Sequence, residues 1–337
     1  MNRLRLVHRD SLSCEPILRR MPDGRLLIVS QCGDVTEPAP LNRVYAFISE
    51  DEGESWSGGA SVWPEDGCAV YLTEVTVLDG VIRVYLTLHN GHFVDWETRV
   101  VASHDNAATW VDEGPAPCLP TYAFLRGMIR LRDGALLMAY QTYPVDQAEN
   151  ERLREHHKRW LDARINFCES GCLRSEDGGK TWVRYPGVRS YFGGGTGRSW
   201  VWSEPTLFEQ ADGSISMLIR VNGTGMLWRS DSTDGGRTFS DPVPTDIPNP
   251  SNKPKLLALS DGRVALIHTP NPRIGMDYRN PLAVWISSDG MATWPDKRVI
   301  SDFPGAFCYP DGFVENGHLL FSIEFNRHEI LFVDHTL

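Results

Sequence analysis

Five near-copies of one eight-residue pattern, Ser-x-Asp-x-Gly-x-Thr-Trp, constrain this chain more than any other feature. They run from Ser49 to Trp56, Ser103 to Trp110, Ser175 to Trp182, Ser232 to Phe239 and Ser287 to Trp294. The opening serines stand 54, 72, 57 and 55 residues apart, a period that fits one four-stranded sheet per repeat with an insertion in the third. Each copy makes chemical sense as a turn between two strands. Its Ser and Asp side chains satisfy nearby backbone N–H groups, its Gly takes a positive φ, and its aromatic residue is buried between sheets.

A second repeat interleaves with the first: a short strand, a turn ending in Asp-Gly or Asn-Gly, then an apolar strand. Its copies start at Glu15, Glu74, Arg126, Glu204, Lys253 and Tyr309. Six hairpins against five turn motifs leave the last sheet one strand short. The segment from Arg3 to Arg9 predicts that strand, and its pairing closes the fold without an exposed edge. Between the second and third strands of the third repeat, from Asp146 to Asn166, the sequence ERLREHHKRWLDARI reads as a short amphipathic helix, with His156 and His157 on its surface.

The remaining features exclude more than they propose. A net charge of −11 without a basic run argues against nucleic acid, although a local arginine cluster can still favour an anion inside a cleft. No stretch approaches 18 apolar residues, so no membrane partner is expected, and the opening MNRLRLVHRDSLSC lacks the apolar run of a signal peptide. A cytoplasmic protein is the expectation. The seven scattered cysteines read as free thiols: Cys168 and Cys172 are four apart, but no second pair with zinc spacing follows. The stretch from Tyr191 to Gly197 is glycine-rich but lacks the Lys-Ser/Thr and helix of a phosphate cradle, so it reads as a loop.

The eight-residue pattern resembles the Asp-box of the sialidase superfamily, and the resemblance covers almost the whole chain. It implies one all-β domain over residues 1–337, a six-bladed β-propeller of four-stranded antiparallel blades. In such a fold the first strand of each blade starts, and the second ends, at one mouth. The starts are Glu15, Glu74, Arg126, Glu204, Lys253 and Tyr309; the ends are Gln31, His89, Gln141, Arg220, His268 and Glu324. Both sets are almost wholly polar beside strongly apolar strands, and burying so many ionisable groups is costly unless they are paired or meet a ligand.

Sialidases hold a substrate carboxylate with three arginines and use a tyrosine nucleophile polarised by a glutamate, with a separate aspartate as acid/base. By that resemblance Glu204, sixteen residues before Arg220, stands for the glutamate and Arg220 for the second arginine. Arg279 looks like the third arginine, and Tyr309 falls where the nucleophile falls. Two departures are plain. Glu15, in Ser13-Cys14-Glu15-Pro16, replaces the first arginine, and the segment Pro38-Ala-Pro-Leu-Asn42 lies where the acid/base aspartate is expected, with Asp34 nearby but out of register.

These departures point to an exo-acting glycoside hydrolase for another acidic or deoxy sugar. Glu204 is its expected nucleophile or base, and Glu74 or Glu15 its partner acid. Arg126, Arg220 and Arg279 would position the sugar, with Gln141, His268, Asp311, Glu324 and Arg327 around it. A uronate lyase is the alternative, with His89 or Tyr309 as base and arginines clamping the carboxylate. A non-catalytic glycan-binding propeller is the third reading. All three name an oligosaccharide or glycan as partner and call for no cofactor or metal; the oligomeric state is open.

Overall fold

The computed structural model describes residues 3–64, 67–94, 96–120, 122–158, 162–165, 167–191, 202–301 and 303–337. The glycine-rich stretch beyond Tyr191 and parts of the predicted helical insertion therefore lie outside the described residues. The chain divides into two compact units. The first comprises Met1–Ala116, Val145–Ala163 and Cys308–Leu337; the second comprises Pro117–Pro144 and Arg164–Phe307.

The first unit holds three antiparallel sheets. Blade one is β2 (Ser13–Arg20), β3 (Leu26–Cys32), β4 (Arg43–Ser49) and β5 (Ala60–Ser61). Blade two is β6 (Ala69–Leu78), β7 (Val81–His89), β8 (Glu97–Ser103) and β9 (Val111–Pro115). Blade six is β23 (Phe307–Glu315), β24 (His318–Phe325) and β25 (Glu329–Thr336), completed by β1 (Arg3–Arg9) at its edge. As the hairpin count required, β1 pairs antiparallel with β25, Arg3 opposite Asp334 and Arg9 opposite Glu329.

The second unit carries the other three. Blade three is β10 (Ala123–Arg130), β11 (Leu136–Thr142), β12 (Phe167–Ser175) and β13 (Val183–Arg184), with β14 (Val188–Tyr191) also on β12. Blade four is β15 (Ser203–Glu209), β16 (Ile215–Val221), β17 (Met226–Ser232) and β18 (Val243–Pro248). Blade five is β19 (Lys255–Ala258), β20 (Val264–His268), β21 (Leu282–Ser287) and β22 (Asp296–Ser301). Six such sheets in sequence order are the blades of a six-bladed β-propeller.

Strand periodicity explains the packing. Successive side chains point to opposite faces, so a blade covered on both sides needs two apolar sets. In β3, Leu27 and Val29 join Val70, Leu72 and Val84 of blade two, while Leu26 and Ile28 join Leu320, Ile330 and Phe332 of blade six. In the second unit Leu218 and Leu227 of blade four meet Leu256, Leu266 and Trp285 of blade five.

All five repeat turns share one hydrogen-bond pattern. In the first, Ser49 Oγ donates to Asp51 Oδ1 at 2.9 Å and accepts from the Gly53 N–H at 2.8 Å. Asp51 then accepts from the N–H and hydroxyl of Ser55 at 2.8 and 2.6 Å. These bonds hold the Asp105, Asp177, Asp234 and Asp289 carboxyls down to about 2, the Thr hydroxyl being the largest cause at Asp105, Asp177 and Asp289. At Asp234 some burial works against the same set of bonds, and they prevail.

The insertion is helical over a different span from the one predicted. Helix α1 covers Gln147–Glu155: Asp146 caps it by accepting from the Glu149 N–H at 2.8 Å, and the left-handed His157 (φ 49°) stops it. Lys158 and residues 163–165 are not helical, and Leu153 is the helix's buried residue. All seven cysteines are free. Cys168 and Cys172 lie on one strand, where four residues span about 13 Å, too far for a disulfide.

Candidate functional site

The polar residues at the hairpins are buried, and they sort by unit. In the second unit, blade four is regular, and its pairing sets Glu204 directly opposite Arg220. Arg220 Nη1 donates to Glu204 Oε2 at 2.5 Å, and Arg126 Nη2 stands 3.5 Å from Glu204 Oε1, all three residues being buried. Burial alone would raise the Glu204 carboxyl. Arg220, then Arg126, with Lys253 behind them, override it and hold the group below the usual carboxylate range. Glu204 is therefore ionised at neutral pH.

Arg126 is placed by a bulge in β10 between Leu125 and Met128, at the left-handed Gly127 (φ 103°). Its Nε donates to Gln141 Oε1 at 3.2 Å, and Gln141 Nε2 donates to the Tyr143 hydroxyl at 2.8 Å. Tyr143 is fully buried, which pushes its acidity down, and the ionised Glu204 adds to that. Arg279 is also buried in this unit, where its Nη2 donates to the Ser251 carbonyl at 2.7 Å. His268 lies on β20 against Trp285, ring centroids 4.6 Å apart; burial and then Lys297 push its imidazole down to about 3.

Carboxylates dominate the interior of the first unit. Glu15 sits in a bulge of β2 with a left-handed backbone (φ 49°); its carboxylate accepts from the Tyr71 hydroxyl, and its N–H donates to Glu324 Oε2 at 3.2 Å. Tyr309 occupies the corresponding place in β23, also buried and left-handed (φ 54°). Such conformations cost of order ~1–3 kcal/mol in a residue other than glycine. Arg327 pairs with Glu37 at 3.1 Å, and Glu37, followed against burial by Glu324, raises its pKa.

Glu74 and Asp311 serve another partnership. Arg19 Nη2 meets Glu74 Oε1 at 2.5 Å and Arg19 Nη1 meets Asp311 Oδ1, tying blades one, two and six. The hairpin alignment also placed Glu74 at a strand start, whereas β6 begins at Ala69 and a bulge after Leu72 sets Glu74 opposite Tyr85. Tyr71, three residues earlier, is the side chain that reaches Glu15.

His89 ends β7, buried against Phe93 with ring centroids 4.5 Å apart. Its Nδ1 accepts from the Gly91 N–H at 3.0 Å, so its single proton lies on Nε2. Burial, then His92, push the ring down to about 3, and it is neutral at pH 7.

Sequence reasoning missed Tyr71, Tyr143 and Arg19. Tyr143 was within reach, because it lies two residues after Gln141 and a strand repeats its face every second residue.

Solved structures share this fold. A Hadza microbial sialidase superposes with a TM-score of 0.72 at 18% identity, covering 98% of this chain and 66% of its own. A protein of unknown function from Dyadobacter fermentans gives 0.73 at 17%, with 100% and 99% covered. Trypanosoma rangeli sialidase gives 0.67 at 16%, with 98% and 55% covered, so this chain spans two thirds or less of either sialidase. No curated protein matches the sequence significantly. The profile of the BNR repeat-like domain matches residues 71–321, and with five Asp-box turns on six blades the chain belongs to that family, within the sialidase superfamily.

Proposed function

We propose that the chain is a carbohydrate-active enzyme, an exo-acting glycoside hydrolase for a glycan that ends in an acidic or deoxy sugar. One observation carries the reading: Glu204 is fully buried yet held ionised between Arg220 and Arg126. A fixed, ionised carboxylate is fit to act as nucleophile or base and unfit to act as acid. Arg126, Arg220, Lys253, Lys255 and Arg279 are buried in the same unit, where Glu204 is the one buried carboxylate among the described residues. Such an interior favours an anionic group despite the acidic surface.

The sialidases of like fold make an acid-bearing terminal sugar the first class to test. Within the first unit, Glu15, in contact with the Tyr71 hydroxyl, is a carboxyl outside the Arg19 bridge that occupies Glu74, and we assign it the role of an acid. Tyr309, buried at a strained position, is the candidate covalent nucleophile. The lyase alternative loses His89, whose acceptor nitrogen is already engaged by Gly91.

The test is a panel of oligosaccharides ending in sialic acid, uronic acid, rhamnose or arabinose, followed for released sugar and for absorbance near ~235 nm, where elimination leaves a double bond. Sugar should be released without absorbance, and Glu204→Gln should lower kcat by about 10²–10⁴-fold. Rising absorbance would assign a lyase, and turnover unchanged in Glu204→Gln would refute the role given to that residue.

A further inference from the structure

We infer that the first unit receives an uncharged, hydroxyl-bearing part of a sugar, His89 Nε2–H donating to one ligand oxygen and Gln31 Oε1 accepting from a ligand hydroxyl. The inference rests on the glycan reading above and names what lies at two residues to which that reading gives no part.

Among the buried polar atoms of this unit that lack a hydrogen-bond partner in the described residues, two of opposite kind lie near the ends of strands in neighbouring blades. One is His89 Nε2, which must carry the ring's proton because Nδ1 accepts from Gly91. The other is Oε1 of Gln31, a fully buried side chain whose Nε2 points to Glu37 at 3.4 Å. The Glu37 carboxylate settles the orientation of that amide, since the flipped form would set oxygen against oxygen.

His89 is the last and Gln31 the penultimate residue of the second strands of neighbouring blades, and the loops that follow them touch. A Cβ added at Gly91 would lie 2.9 Å from Pro40 Cγ. Phe93 supports the arrangement: left-handed (φ 55°) and buried, its ring meets His89 on one side and Tyr71 at 5.2 Å on the other.

Each unmet buried group costs about 1–3 kcal/mol, so a matching ligand gains by filling both. An ammonium offers nothing that accepts the His89 proton. A carboxylate offers nothing that donates to Gln31. A hydroxyl both donates and accepts, and it carries no charge. A site built to hydrogen-bond a substrate hydroxyl strongly rejects the analogue that lacks it.

The experiment uses the full chain and its Glu204→Gln variant, with the methyl glycosides of galactose, rhamnose and arabinose as probes. Binding is followed by calorimetry and by the ring-nitrogen resonances of ¹⁵N-labelled His89. At pH 7 His89 should show the Nε2–H tautomer, and at least one glycoside should shift it. His89→Phe and Gln31→Leu should each weaken that glycoside about tenfold, the worth of one hydrogen bond. Where Gln31→Leu fails to fold, Gln31→Met, closer in size and likewise without an acceptor, should weaken binding to the same extent. Equal affinity in wild type and variants, a bound glycoside that leaves His89 unmoved, or no binding of any neutral glycoside overturns the inference. Because binding is read without turnover, hydrolysis of an acidic glycan can stand while this inference falls, and the reverse.

Discussion

At the scale of single residues, the five turns differ at the position that must take a positive φ. Three copies place glycine there, whereas Ala107 (φ 65°) and Met291 (φ 67°) carry the strain in the others. A Cβ on Gly53 would lie 2.2 Å from Cε1 of the buried Phe332. Gly53→Ala should therefore cost about 2–5 kcal/mol in denaturant unfolding, and Ala107→Gly should stay within about 1 kcal/mol of wild type. The buried imidazoles give a second expectation. His89 and His268 stay neutral in the folded chain down to about pH 3, while unfolded histidine takes up its proton near ~6.5. Their contribution is complete above pH 6.5 and shrinks as pH falls, by up to about 2 kcal/mol each at pH 5. The unfolding midpoint should drop between pH 7.5 and pH 5, and His268→Phe should flatten that dependence.

Among the elements, the bridge from Arg19 to Glu74 and Asp311 is the most exposed to test. Removing the guanidinium leaves two buried carboxylates without their counter-ion, so Arg19→Met should cost about 3–5 kcal/mol. Adding Glu74→Gln and Asp311→Asn should recover part of the loss; an Arg19→Met variant as stable as the wild type would show that the bridge contributes nothing. The turns themselves were legible from the sequence because Ser, Asp and Gly each do local work within eight residues. Register was not. The bulges after Cys14, Leu72 and Leu125 shift the strands that follow; Pro16 and Gly127 lie in two of them, but neither residue type marks the one before Glu74. That is why Glu204 and Arg220, on the unbulged blade four, stood opposite each other as their spacing suggested. It is also why Glu74 was assigned the place that Tyr71 reaches. The helix was found but misplaced, because its charged run continues past the point where His157 turns the backbone.

Across the whole molecule, five Asp-box carboxylates rest on bonds that exist only in the folded chain. Four of them titrate at about 2, against ~3.9 for an unfolded Asp, so their contribution is complete above pH 4 and is lost as pH falls through 2. Acid unfolding followed by circular dichroism should be steep in that window, and Asp177→Asn should make it shallower. Blade six supplies a different test. Deleting residues 3–9 removes β1 and bares the edge of β25, so the melting temperature should fall and concentration-dependent association should rise.

That pairing also sets a timetable. Arg3 meets Asp334, so β1 waits for its partner strand until the residues between them have been made. At about 5–20 residues per second the wait is on the order of 20–60 s. Through it β1 is a lone strand with an open edge, the form most ready to pair with a stranger. Its alternation of Arg3, Arg5 and Arg9 with apolar residues keeps positive charge along that edge, and in the finished fold the same three arginines meet Glu54 and Glu329. The charges that close blade six in the finished fold are thus the ones that guard β1 while it waits.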